Sequence, residues 1–176
     1  MRPQRTLELG AGRTPSSAGV VTLDRAASTR PDIVHDINVV PWPLETSSFD
    51  LIRCYDVVEH LDDLLSVMGE IHRVGAPGAR VEITTPHYSS ANSWTDPTHR
   101  HHLGIRSFDY FTDGHALSYY SDARFTIRER RIRFRNTLAG RVIERFANRH
   151  PELYEEHLAW MLPAFFLWFV LEVRKA

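Results

Sequence analysis

The stretch Leu7-Glu-Leu-Gly-Ala-Gly12, followed by Val20-Val-Thr-Leu-Asp24, constrains this chain more than any other feature. It reads as an apolar strand, a glycine turn and a second apolar strand that ends in a carboxylate. Glycine allows backbone to approach a ligand where a side chain would collide. A carboxylate at the tip of the next strand can accept hydrogen bonds from two ribose hydroxyls. The pair predicts a nucleoside-bearing cofactor at the carboxyl edge of a parallel sheet. A dinucleotide site would carry a third glycine, but Pro15 stands in its place, and the carboxylate arrives sooner than the roughly 20 residues usual for such sites. No lysine follows the glycines as it would in a phosphate-binding loop. A nucleoside without phosphates fits better, and S-adenosylmethionine is the common one.

Rigid and amphipathic segments continue the pattern. Short strands are expected over Thr6 to Leu9, Val20 to Leu23, Asp32 to Asp36, Phe49 to Asp56 and Arg80 to Thr85. The link Arg13 to Gly19 is too short for a crossover helix, which needs a dozen or more residues with its loops. Leu61, Leu64, Leu65, Met68 and Ile71 follow helical spacing. Asp62 and Asp63 fall in the first turn of that helix, His60 at its start, and Pro77-Gly78 would stop it. Phe125 to Phe134 is strand-like, but its apolar parity slips, which predicts a bulge near Arg130. A helix is expected over Asn148 to Leu162 and a last strand over Phe165 to Lys175. Alternating strands and helices argue for a parallel, doubly wound sheet.

Bulk properties exclude several classes. At 176 residues the chain suits a single domain over 1–176, with 86–120 as a long polar insertion. A net charge of −1 gives no general attraction to nucleic acid. The arginines at 124, 128, 130, 131, 133 and 135 read as a solvated strand face, with an RNA-facing surface as the rival. The single Cys54 excludes an internal disulfide framework and fits a reducing, cytoplasmic compartment. Leu158 to Leu171 lacks charge but is shorter than the ~20 residues a spanning helix needs. It reads as a buried helix and a central strand, with a membrane-surface or dimer contact as the rival.

Taken in order, Leu7-Glu-Leu-Gly-Ala-Gly12, Asp24, His35-Asp36, Pro41-Trp-Pro, Ser48-Phe-Asp-Leu-Ile52, Val58-Glu-His-Leu61, Glu70-Ile-His-Arg-Val74 and Pro77-Gly78 resemble the class I S-adenosylmethionine-dependent methyltransferases, most of all the broad type 11 group. The resemblance covers about residues 6 to 86, and the last strand also looks like that family's antiparallel final strand. It implies an α/β, Rossmann-like, doubly wound, mostly parallel seven-stranded sheet in a three-layer α/β/α sandwich. Glu8 and the turn Gly10 to Gly12 would lie by the methionine end of the cofactor. Asp24 would take the ribose hydroxyls, with Arg25 beside the adenine. Asp36 would accept from the adenine amino group, Ile37 would pack on the ring, and Tyr55 would line the methionine pocket. The near-absent first crossover helix departs from the family and suggests a large substrate, a partner subunit or second copy, or weak cofactor binding.

The histidine-rich segment Pro86 to His102 begins at the tip of the fifth strand, where open α/β sheets bind ligands. Histidine suits proton removal at neutral pH. His99 or His87 is the expected base, with Asp96 orienting it as in catalytic triads. His87, Asp96, His99, His101 and His102 are also the candidate ligands of a divalent metal, since imidazoles with one carboxylate match zinc or non-haem iron sites. The expected activity is methyl transfer to an oxygen of a small molecule, a sugar or natural-product precursor. The rivals are a non-catalytic subunit on the same fold and a metal-dependent enzyme built on the segment His87 to His102.

Overall fold

Residues 4–12 and 17–175 are described by the structure, a computed structural model. Seven strands form one sheet: β1 (Thr6–Leu9), β2 (Val20–Asp24), β3 (Ile33–Val34), β4 (Phe49–Tyr55), β5 (Gly75–Pro86), β6 (Arg124–Arg133) and β7 (Phe166–Arg174), in the order β3-β2-β1-β4-β5-β7-β6. The first five strands pair in parallel, and β7 inserts antiparallel between β5 and β6. The fold is therefore Rossmann-like with an antiparallel last strand. The helices are α1 (Leu64–Val74), α2 (Asn92–Thr95), α3 (Leu138–Arg149) and α4 (Pro151–His157). Among the described residues no helix is long and apolar enough to cross a membrane. The short link Arg13 to Gly19 between β1 and β2 falls largely outside the described residues.

Register explains where the core lies. Leu7, Ile52, Val81 and Leu171 stand opposite one another across β1, β4, β5 and β7, and all four are fully buried. Leu9, Cys54, Ile83 and Phe169 form the next row. Side chains alternate across a strand, so the row between them, Glu8, Arg53 and Glu82, faces the other way. There Arg53 meets Glu8 at 3.9 Å and Glu82 at 3.7 Å. Burial pushes the Cys54 thiol up, so it remains a neutral core side chain.

Several elements differ from the sequence expectation. Helix α1 stops at Val74, earlier than Pro77-Gly78 would require. Gly75 caps it, and a Cβ there would stand 2.9 Å from Val173 Cγ2 and 3.1 Å from the Ile71 carbonyl. Glycine thus lets the helix run straight into β5, and Pro77-Gly78 falls inside the irregular start of that strand, between the pairings Phe49 with Gly75 and Leu51 with Arg80. The bulge of β6 lies between Ile127 and Glu129, slightly before Arg130. The expected helix over 148–162 is two helices that begin and end earlier. Thr137 caps α3 through the Gly140 N–H, and Pro151 opens α4. Residues 158–162 form turns, and Trp160 and Met161 are exposed rather than buried. The rest of that apolar run is the central strand β7.

The arginine-rich β6 is electrically matched. Arg128 pairs with Glu172, Arg130 with Asp109, Arg131 with Glu129 and Arg133 with Glu144, while Arg124 lies near Asp113. Arg135 stacks over the Phe165 ring. Paired charges of this kind leave little net field for a polyanion.

Candidate active site

The β1–β2 unit forms the first wall of the site. Gly10 and Gly12 both adopt left-handed backbone, at φ 61° and 53°. Asp24, at the end of β2, fastens the turn: its Oδ2 accepts from the Gly12 N–H and its Oδ1 from the Ala26 N–H, each at 2.8 Å. A Cβ on Gly10 would stand 2.5 Å from Val57 Cγ2. We therefore expect Gly10→Ala to cost about 1–2 kcal/mol from left-handed strain alone, with the clash added. Denaturant unfolding checks this; an unchanged midpoint would contradict the packing described.

The Pro41-Trp-Pro segment fixes a second wall from behind. The Trp42 indole N–H donates to the Ile37 carbonyl at 2.9 Å, and the Trp42 backbone N–H donates to Glu70 at 2.8 Å. Arg73 grips the same carboxylate through two N–H donors. Burial opposes the charge on Glu70, but the bonds from Arg73 and Trp42 outweigh it and hold the carboxyl below its ordinary value. Asp36 accepts from the backbone and side-chain nitrogens of Asn38.

The third wall comes from the turns after β4 and β5. Asp56 reverses the chain at φ 56° and leads into a short 3₁₀ turn, Val58–His60. The Glu59 carbonyl accepts the backbone N–H groups of Arg100 at 2.7 Å and His101 at 3.1 Å. Those two bonds lay residues 97–100 against the turn. The His60 and His99 rings then meet edge to face, 4.6 Å apart. Glu59 is buried, and His99 Nε2 lies 4.0 Å from its Oε1. Neither carboxylate oxygen of Glu59 has a hydrogen-bond partner. Burial raises Glu59 to about 7, although its own backbone N–H and the Thr85 hydroxyl nearby, and then His99, act in the opposite sense. Burial, and then the neighbouring His99, lowers His60.

These walls surround a cavity of about 690 Å³ whose lining includes Gly10, Asp24, Arg25, Asp36 and Ile37 together with His60, Thr98 and His99. That size is within the usual range for cofactor sites, ~300–1,000 Å³. The residues fit an adenosine moiety: a carboxylate at a strand tip, a buried isoleucine, and a glycine whose backbone lies bare. Of the residues expected at the cofactor, Glu8, Gly12 and Tyr55 do not line this cavity. Glu8 lies 3.9 Å from Arg53, the Gly12 N–H donates to Asp24, and the Tyr55 hydroxyl donates to Glu82.

The histidines divide by location. His87 is fully buried away from the cavity, its Nδ1 accepting from the Ser89 N–H and its Nε2 3.1 Å from Glu155. His102 stacks on Trp94 at 3.7 Å and meets Ser93 Oγ. His101 lies beside Asp62 and Asp63 in a separate depression. Asp96 is exposed and reaches the site only through Thr98. Sequence reasoning missed Glu59 and read His60 as a structural residue. The available signal was a glutamate two residues into a turn that follows a buried strand.

Strand order, glycine turn and cavity together define an S-adenosylmethionine-dependent methyltransferase. A model of the methyltransferase domain family matches residues 2–165, and the chain belongs to that family. Among solved structures it resembles an S-adenosylmethionine-dependent methyltransferase from Mesorhizobium loti, at 18% identity over 96% of this chain and 90% of that one, with a TM-score of 0.62. It also resembles a putative enzyme of that kind from Listeria monocytogenes, at 9% identity over 98% and 90% of the two chains, TM-score 0.62. A third is a putative methyltransferase in complex with the Haloferax volcanii Trm112 activator, at 14% identity over 98% and 83%, TM-score 0.60. Identities this low speak for the fold. Comparison with curated proteins finds no match.

Proposed function

We propose that this enzyme methylates an oxygen of a small-molecule acceptor, with sugars and natural-product precursors the first classes to test. The observation that carries the reading is one cavity lined both by Asp24, Asp36 and Ile37 and by His60 and His99. S-adenosylmethionine supplies a methyl group already activated by its sulfonium charge. Asp24 takes the ribose hydroxyls, Arg25 stands beside the adenine, Asp36 accepts from its amino group and Ile37 packs on the ring. The Gly10 backbone faces the methionine end, and Gly12 supports Asp24.

The chain's remaining task is to align an acceptor and remove its proton. Alignment of a bound pair is worth ~7–11 kcal/mol in favourable cases. His99 is the base in this reading. Its Nδ1 lies 3.1 Å from the Ser93 carbonyl, an obligate acceptor, so Nδ1 carries the hydrogen and Nε2 keeps a free lone pair. Asp96 acts as orienter on the adjacent His60, through Thr98. Residues 86–120 build the acceptor side within one domain, 1–176.

Transfer of label from methyl-labelled S-adenosylmethionine to a panel of hydroxylated sugars and phenols, with amines alongside, tests the reading. Label recovered as an ether is the expected result. Label confined to amines, or none transferred by protein that binds S-adenosylhomocysteine, would overturn it.

A further inference from the structure

The proton-removal scheme leaves Glu59 unexplained. A buried carboxylate with two unpartnered oxygens costs several kcal/mol unless something compensates its charge. Around it, ligand atoms of Glu59, His60 and His99 all lie within 4.8 Å of one another. The hydrogen bonds of both imidazoles fix which nitrogen is free. His99 gives its Nδ1 hydrogen to Ser93, as above. Thr98 Oγ1 lies 2.7 Å from Asp96 Oδ1 and 2.9 Å from His60 Nδ1. A hydroxyl has one hydrogen and a carboxylate can only accept, so that hydrogen goes to Asp96. Thr98 must then accept from His60, and His60 also keeps its Nε2 lone pair. Imidazoles that donate one N–H to an oxygen, leaving the other nitrogen bare, are the usual form of metal-bound histidine.

We propose that Glu59, His60 and His99 bind one divalent transition cation at the acceptor end of the cavity. Two imidazoles and one carboxylate suit zinc or a neighbouring first-row ion, whereas magnesium prefers an all-oxygen shell. Ligand bonds of ~2.0–2.2 Å place donors about 3–4 Å apart, so small side-chain rotations from the present spacing close the site. His60 and His99 line the cavity, so a bound cation would be open to an acceptor placed there. This deepens the proposed oxygen methylation and takes its chemical role from it. The cation holds the acceptor hydroxyl and acidifies it. The O–H bond breaks and the proton leaves to water through the cavity mouth. The oxygen then bonds to the methyl carbon as the carbon–sulfur bond breaks, giving an ether and a neutral thioether. In this scheme the His99 lone pair serves the cation rather than the proton, and Asp96 and Thr98 become positioning residues.

The test uses full-length protein stripped with a chelator, then titrated in a calorimeter with zinc chloride and separately with magnesium chloride. S-adenosylhomocysteine binding is measured on the same samples. We expect one equivalent of zinc, with magnesium at least tenfold weaker. His99→Ala and the near-isosteric Glu59→Gln should each weaken zinc about 10–100-fold or more, while His102→Ala leaves it unchanged. Retained S-adenosylhomocysteine binding with no zinc uptake would overturn the cation site. So would zinc affinity equal in His99→Ala, Glu59→Gln and the native chain. Zinc uptake with the expected variant pattern but no S-adenosylhomocysteine binding would support the cation and instead remove the methyl-transfer reading of the cavity.

Discussion

Asp24→Ala is expected to weaken S-adenosylhomocysteine binding by two to four orders of magnitude. Two ribose hydroxyls donating to one carboxylate make two charge-assisted hydrogen bonds, each worth about 1.5–3 kcal/mol. Their sum is about 3–6 kcal/mol, at about tenfold in affinity per 1.4 kcal/mol. A second contribution is indirect. The same carboxylate accepts the Gly12 and Ala26 N–H groups at 2.8 Å, so its removal also loosens the glycine turn. Asp24→Asn separates the two effects. Its amide oxygen can still accept one of the two backbone N–H groups while its NH2 faces the other, so the ligand-free protein should unfold between the native and alanine midpoints while affinity stays low. Calorimetry with S-adenosylhomocysteine, beside thermal unfolding without ligand, reads both quantities. Native-like affinity in both variants would mean that the nucleoside binds elsewhere.

That residue was legible because its signal is local. Strand, glycines, second strand and carboxylate fall within 18 residues, from Leu7 to Asp24, and each has a short-range physical requirement. The five parallel strands β1 to β5 were readable for the same reason, since each is a short run whose apolar residues recur locally. Long-range docking was not readable. Glu59 and His99 are 40 positions apart, and two backbone bonds to the Glu59 carbonyl bring them together. Backbone bonds leave no side-chain signature. Helix α3 was overlooked although Leu138, Val142, Ile143, Phe146 and Ala147 keep helical spacing; that stripe is only partly buried, with Leu138 and Val142 83% and 66% exposed. His87 was singled out for its place at a strand tip. Its role depends on Glu155, 68 residues further along the chain.

That pairing yields the second large effect, a loss of about 2–6 kcal/mol of stability in Glu155→Ala. Glu155 Oε1 accepts the His87 Nε2–H at 3.1 Å and the Ile105 backbone N–H at 2.7 Å. His87 is fully buried and Ile105 is 2% exposed, so water cannot readily replace the lost acceptor. Each orphaned donor costs about 1–3 kcal/mol. The carboxylate also seats tightly, with room for Gly104 only because that residue lacks a Cβ, which would lie 3.0 Å from Oε1. Glu155→Gln preserves a carbonyl oxygen at nearly the same place and should recover more than half of the loss. Urea unfolding of the three proteins measures it through the midpoint at constant slope. A deficit under 1 kcal/mol in the alanine variant would mean that this carboxylate does not anchor the segment. The consequence reaches the acceptor end of the cavity. His87, Ile105 and the residues between them, including His99, belong to one stretch of chain whose hold on α4 is this carboxylate together with the Tyr88 hydroxyl on the Glu155 carbonyl. Loosening it should therefore impair acceptor turnover more than S-adenosylhomocysteine affinity, because the Asp24 wall is built from β1 and β2 alone.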